Sequence, residues 1–514
     1  MKKILQLIIV AITIFVTACT DDLNVNPTGT IVSSTFFKTI DDATAAVTGV
    51  YSSLSYWPDG ISYYGCLHNY MADVASDYLT AGTHNSWPSL VACGTKRYNE
   101  SNEYIYSAWC QTYNGINRAN IAIDNIPNVS GDSITKTRLI GEAKFIRALF
   151  YFNAVRFWGP VPLVIHSPTT VSNITPARAP VDSVYAQIIR DLKDVASLPI
   201  TNIVSDTKLG RATAGAAKAL LAKVYLTRGD WGNAINYSRD LIQNRASYGY
   251  DLYTTYYDNF DPKKKNAKEN IFSVQFELGQ NGGTGTGSVL THCYFSNYFT
   301  NSSTPFITLS DLKYYDLFSS SDQRRDISME KNMYNPKTNS IFVFTVPRLR
   351  KFVDTTIVLT TTSKATSNYP VIRYSDVLLT FAEAVNERGG TSDPYAAEAA
   401  EAINEVRRRA YKYDIYTAGS SVDLSSGITQ DQFRDSLRLE RYKEFTQEGT
   451  RWFDLVRWKI YVKSINASPY QSSNPLRNYL FPIPQAERNV NPNITQNYGY
   501  SEGPTTSPYD VSYQ

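Results

Sequence analysis

Four histidines, five cysteines and a formal charge of +3 in 514 residues leave little material for several common chemistries. His68, His84, His166 and His292 form no HExxH or HxH arrangement, so a helix-borne metal-hydrolase site is not supported. No GxSxG elbow is present for a serine hydrolase. The glycines at 283, 285 and 287 lack the GK[ST] ending of a phosphate loop and read as a loop. Without Lys2 and Lys3 the charge falls to +1, too small a field to recruit nucleic acid or anionic lipid. Cys66, Cys93, Cys110 and Cys293 contain no CxxC pair; in an oxidising compartment they allow three complete disulfide pairings, and buried free thiols are equally compatible. These patterns call for no cofactor, no metal and no catalytic residue.

What is abundant is the aromatic ring: 38 Tyr, 22 Phe and 7 Trp. Tyr exceeds Phe, which points to rings placed at wet surfaces as well as in a core. With 43% hydrophobic and 19% charged residues the chain has ample material for folding. Its N-terminus sets the expected compartment. Lys2 and Lys3 precede an apolar run from Ile4 to Val16, about 20 Å as a helix and shorter than the ~30 Å hydrocarbon layer. Residues 1–18 therefore read as a cleavable signal, and Val16-Thr17-Ala18-Cys19 resembles a bacterial lipobox whose Cys19 thiol becomes acylated. Residues 19–34 read as a lipidated tether, and Asp21 and Asp22 just behind Cys19 resemble the signal that exports bacterial lipoproteins to the outer surface of the outer membrane.

Helical periodicity dominates the rest. Apolar stripes run from Asp41 to Leu54, from Ile105 to Ile126 before Pro127, from Thr137 to Phe157 before Gly159-Pro160, and from Asp182 to Leu198. At 213–244, Leu221, Ala222, Tyr225, Gly229, Trp231 and Ala234 match a tetratricopeptide unit, although Ser238 stands where an aromatic is expected and Tyr237 comes one place early. A second helix pair spans 371–410. Such units bury their faces by stacking, so the fold class is mainly α, a scaffold of tetratricopeptide-like pairs over about 35–54, 103–244 and 369–460. Residues 55–102 and 245–368 have a loop-rich, partly β texture, with a strand at Ile271 to Leu278, and are read as surface excursions that carry binding groups. No linker divides 35–514, which is one domain.

The conspicuous acids Asp435, Glu440, Glu444, Glu448 and Asp454 alternate with Arg434, Arg438, Arg441 and Arg451, the pattern of an ion-paired helix face rather than of a glycosidase acid pair. The same region carries a likeness. Arg373-Tyr374-Ser375-Asp376, Asn404 with Arg407 and Arg409, and Glu440-Arg441 through Glu444, Glu448-Gly449 and Arg451-Trp452-Phe453-Asp454 to Arg457-Trp458 form three motifs; the fourth is Pro482-Ile483-Pro484 with Asn491-Pro492-Asn493. Together with Phe36-Phe37-Lys38 and Asp41-Asp42-Ala43, they resemble, in order, the SusD/RagB nutrient-uptake lipoproteins. Arg451, Trp452, Asp454, Arg457 and Trp458 read as framework within that likeness.

The resemblance implies a helical, non-enzymatic lid on a SusC-like TonB-dependent β-barrel transporter, capturing oligosaccharide and passing it inward. A peptide-binding importer of the same family is the alternative, with a surface glycoside hydrolase or a structural adaptor behind it. A sugar ring needs an aromatic face for its C–H side and amide or carboxylate partners for its hydroxyls. The loop regions offer Trp57, Tyr63 and Tyr64 near Asp59, Trp87 beside Asn85, and Tyr294 and Tyr298 beside Asn297. Trp87 and Tyr294 are the preferred pair.

Overall fold

The computed structural model describes residues 36–58, 60–81, 87–167, 175–204, 210–277, 288–290, 307–335, 339–353, 365–470 and 472–509. Helix α1 (Ile40–Ser55) opens on a capping box: Asp42 N donates to Thr39 Oγ1, and Thr39 N donates to the Asp42 carboxylate at 2.8 Å. After the short α2 (Pro88–Gly94), its buried stripe of Ala43, Val47, Val50 and Leu54 meets α3 (Glu103–Asn125) and α4 (Ser133–Trp158). Every residue of α4 from Phe145 to Val155 is buried, which makes it the central helix. From there α5 (Val181–Ala196), α6 (Ala214–Arg228), α7 (Trp231–Gln243), α8 (Tyr374–Gly389) and α9 (Ala396–Ala410) each pack on the one before. Helices α7 and α8 are thus spatial neighbours although residues 244–373 separate them.

The repeat at 213–244 folds as its residues require. Gly229 turns the chain at φ +72°, a left-handed conformation that costs a side chain dearly. Ala222 and Ala234 are fully buried at the seam. Tyr225 stacks on Tyr237 with centroids 5.8 Å apart and planes 7° from parallel, so Tyr237 supplies the aromatic contact. Ser238 Oγ donates back to the Ala234 carbonyl.

Eight short strands form four antiparallel ladders among the described residues: β1 (Leu79–Thr80) with β5 (Thr308–Leu309), β2 (Val161–Pro162) with β3 (Arg178–Ala179), β4 (Asn270–Val274) with β8 (Tyr369–Arg373), and β6 (Met329–Asn335) with β7 (Ser340–Leu349). The strand expected at Ile271 to Leu278 ends at Val274. The glycine-rich run 279–287 lies outside the described residues.

Two expectations are corrected. Residues 62–81 are not a surface excursion but are buried throughout, wound into two wide π-type turns at Tyr63–Leu67 and Tyr70–Val74. Their polar side chains misled because several find partners inside the protein rather than in water. Asn69 Nδ2 donates to the Gln447 carbonyl at 2.8 Å, Gly449 N donates to Asp73 Oδ2 at 2.7 Å, and Arg451 forms a two-pronged pair with Asp77. The C-terminal acids, likewise, do not line an exposed helix face. Around helices α10 (Gln430–Phe445) and α11 (Arg451–Arg457), Glu440, Glu444, Glu448 and Asp454 enter buried ion pairs between elements, while Asp435 is exposed. Glu444 meets Arg373 at 2.7 Å, Arg409 at 2.5 Å and Arg324 at 3.1 Å, all with 0–1% side-chain exposure. Burial alone pushes this carboxyl up, but Arg409, Arg373 and Arg324 together hold it far below the usual carboxylate range. Glu269 and Glu448 complete the cluster around Arg373 at 2.7 and 2.8 Å.

The framework reading of the α11 motif holds. Trp452 is fully buried, Arg451 clasps Asp77, and Asp454 pairs with Arg441 and Arg457. Cys93 and Cys110 are free thiols, and burial pushes the Cys93 thiol up to about 12. Cys293 lies outside the described residues.

Candidate functional site

Helix α3 holds two aromatic-bearing segments at its N-terminal half. In the first, Gly60 N donates to the Trp57 carbonyl at 2.9 Å, closing a turn whose second position is Pro58, where a φ fixed near −65° is suited. Gln111 of α3 ties this turn down: its Nε2 donates to the Ile61 carbonyl at 2.8 Å and to Ser107 Oγ at 3.0 Å. Trp57 is half-buried, and Tyr56 beside it is 46% exposed. Tyr106, one position before Ser107 on α3, is 41% exposed.

In the second segment, Trp87 heads α2 with Pro88 at the first helical position, and its carbonyl accepts from Leu90 N and Val91 N. Asn102 anchors it. Asn102 Oδ1 caps α3 by accepting from Tyr104 N and Ile105 N, while Nδ2 donates to the Ser89 carbonyl at 2.9 Å. The far end of α2 is held by Lys96, which is fully buried and whose ammonium donates to the carbonyls of Gly94, Val74 and Leu79. Trp87 is half-buried and packs against the core. The two anchor points, Asn102 and Gln111, stand about 13.5 Å apart along the helix axis.

In β1–β5 Thr80 faces Thr308, so the chain leaving Thr80 and the chain arriving at Thr308 share one end of the ladder. The first leads through 82–86 to Trp87; the second comes from 291–306. Asn85, Tyr294 and Tyr298 belong to those segments and, like Cys19, lie outside the described residues.

Tyr63 and Tyr64 do not belong to the rim. They are 0% and 1% exposed, set edge to face at 5.1 Å, and Asn153 Nδ2 donates to the Tyr64 hydroxyl at 2.7 Å. Burial raises both phenols well above their ordinary range. They read as site residues because they follow Trp57 closely, but the buried 62–81 segment begins between them and the turn. Tyr56 and Tyr106, by contrast, were not expected. Tyr106 lies off the apolar stripe formed by Ile105, Trp109 and Tyr113, which is the signal that could have found it.

The rim therefore offers aromatic surfaces held against a rigid helix. Among the described residues no group of three or more His, Cys, Asp or Glu is placed to hold a metal, and no helix is long and apolar enough to cross a membrane.

Residues 318–500 match the family model described as the SusD family, and residues 36–226 match the one described as starch-binding associating with outer membrane. SusD-like protein P2 of Formosa agariphila is 28% identical, the match covering 93% of this chain and 95% of that one. A solved SusD homolog from Bacteroides thetaiotaomicron superposes with a TM-score of 0.76 at 24% identity, covering 90% of this chain and 98% of its own. A laminarin-binding SusD-like protein superposes at 0.72 with 25% identity, over 90% of this chain and all of the other.

Proposed function

The chain belongs to the SusD family, and from that premise we propose that it is a cell-surface lipoprotein that captures oligosaccharides at the rim around Trp57 and Trp87. The observation that carries this reading is the pair of half-buried tryptophans, each on its own segment and both bolted to α3. An indole face covers the C–H side of a pyranose without needing charge, and two indoles on segments anchored about 13.5 Å apart along α3 suit a chain of sugars better than a single ring. The family description of starch binding with outer-membrane association and the laminarin-binding relative support the same ligand class. Captured glycan passes to a SusC-like TonB-dependent transporter, with the protein held to the outer membrane by acylated Cys19. Binding in this reading breaks no bond, and two of the conspicuous C-terminal acids, Glu444 and Glu448, are held in ion pairs by Arg373.

Affinity electrophoresis on a panel of polysaccharides tests the site. Retardation of the wild type by a glucan, and its loss in a folded Trp87→Ala variant, is the expected result. Unchanged retardation of that variant removes Trp87 from the site. Retention on peptide columns with no polysaccharide retardation transfers the rim to the peptide-binding alternative. Incorporation of labelled palmitate that disappears in Cys19→Ala tests the anchor.

A further inference from the structure

Away from the rim, α4, α6, α8, α11 and β8 line a partly open cavity of about 50 Å³ beside the buried Tyr63–Leu67 turn. One water needs roughly 10–15 Å³, so this space takes a small ion with solvent but no sugar. Its lining carries an excess of positive charge. Lys223 pairs with Asp376 at 2.6 Å, Arg441 with Asp454 at 2.9 Å, and Arg457 with Glu383 as well as with Asp454. These three cations are matched by three carboxylates. Glu448, the other acid at the wall, is held by Arg373 at 2.8 Å and Lys351 at 2.9 Å.

Arg156 is the exception. Its guanidinium lies between two rings, 3.7 Å from the centroid of Phe152 and 3.6 Å from that of Phe453. Its Nε donates to the Phe152 carbonyl and one terminal nitrogen to Asn153 Oδ1 at 2.6 Å. No carboxylate among the described residues lies within ion-pair distance of it. The rings close both faces of the guanidinium, so only its edge can meet a counter-charge. Two buried polar atoms on the same wall, His68 Nδ1 and Thr380 Oγ1, have no hydrogen-bond partner among the described residues.

We propose that this cavity binds one small inorganic anion of chloride size, held at the guanidinium edge of Arg156 with Thr380 Oγ1 and His68 Nδ1 as further donors. Arg156 is half-buried with no carboxylate at its edge, and an anion there also satisfies two buried orphaned atoms. The surroundings agree with an uncompensated charge. Burial pulls the Arg156 guanidinium down to about 10, and burial with Arg156 and Lys223 keeps His68 far below its ordinary range, so the imidazole is neutral. The occupant links four helices and the π-type turn, giving it a structural role in the helix array independent of glycan capture.

Crystals of the full mature protein soaked in sodium bromide and measured at the bromine edge decide the matter. An anomalous peak in the cavity, within hydrogen-bond distance of Arg156, is expected. Water-like density with no anomalous signal overturns the proposal. In solution, the melting temperature of the wild type should rise by a few degrees in chloride over gluconate at equal ionic strength. Thr380→Val, which keeps the volume and removes one donor, should reduce that difference. Arg156→Gln should abolish it if the variant folds. An identical chloride response in the wild type and in Thr380→Val, or no response in the wild type, counts against the site.

Discussion

Lys96 Nζ lies 2.7 Å from the carbonyl oxygen of Gly94, two residues back along the chain, and the same ammonium reaches Val74 and Leu79. Three donors thus meet three carbonyls in a fully buried position. The side chain turns back at a backbone φ of +59° and clamps the end of α2 to the 62–81 segment. Lys96→Met strands three buried carbonyls, so a loss of about 2–4 kcal/mol is expected in urea unfolding. Loss of protection in 88–94 during hydrogen exchange, ahead of global unfolding, would show that the clamp is what positions Trp87. An unchanged midpoint would sink this account.

Trp57 and Trp87 are held at separate points of α3, so their contributions to glycan retention should be nearly independent. Each Ala substitution is expected to weaken binding by about 10–30-fold, on the order of 1.4–2 kcal/mol, and the double variant by the product. Isothermal titration with a laminarin oligosaccharide is the measurement. Tyr64→Phe provides the contrast: it removes the hydroxyl that accepts from Asn153, costs about 1 kcal/mol of stability, and leaves affinity alone.

Arg373 satisfies Glu269, Glu444 and Glu448 at once in a space with almost no solvent. Arg373→Met leaves three buried carboxylates short of a partner, and a loss of about 3–5 kcal/mol follows. Differential scanning calorimetry on the variant checks it. A change within 1 kcal/mol would mean that Arg324, Arg409 and Lys351 suffice, a result at odds with the geometry.

Gly449 stands at φ +66°, and a Cβ there would lie 2.4 Å from His68 Nδ1 and 2.6 Å from the Tyr369 hydroxyl. Gly449→Ala combines the left-handed backbone cost with overpacking, for about 2–4 kcal/mol in total. Adding His68→Ala should recover part of that loss, because the two sites are in contact. Strict additivity of the two substitutions in chemical denaturation would be the contrary outcome.

Asp73 gives the chain a defined pH response. Burial pushes its carboxyl up to about 7 against the bond donated by Gly449 N. The unfolded value is near 3.9, so the folded protein keeps a proton that the unfolded chain has released. This group's contribution is complete below about pH 4 and is lost as pH rises through about 7, at roughly 1.4 kcal/mol per pH unit. Asp73→Asn does not titrate and should therefore gain on the wild type between about pH 5 and 8. A difference in urea midpoint that stays constant across that range would refute the assignment.

The helix array was legible because its stripes are long and its seams carry small residues at tetratricopeptide spacing. Ala222, Ala234 and Gly229 announce a close helix pair before any coordinates are known. The segment at 62–81 was not legible. Its Tyr, Asn, Ser and Asp residues look like surface, and only their partners at 447–451, some 375 residues away, make them core. Four of the five C-terminal acids are paired as read, Asp435 being exposed, but sequence shows only neighbours along one helix, whereas Glu444 finds its cations on three other elements. For the rim, residue type pointed to Trp57 and Trp87, and it also drew in Tyr63 and Tyr64. Exposure separates the two pairs, and exposure follows from tertiary packing.

The grip of residues 447–449 on Asn69 and Asp73 has a bearing on how this chain matures. Synthesis runs from the N-terminus, so the first hundred residues wait for most of the protein to be made before their interior polar groups find partners. Until then the π-type turns have no reason to form, and the loop closure involved is among the longest the molecule makes. A chain released before residue 449 lacks the partners that Asn69 and Asp73 meet in the folded protein. Completion of the C-terminal third is in this sense the step that makes the N-terminal third competent.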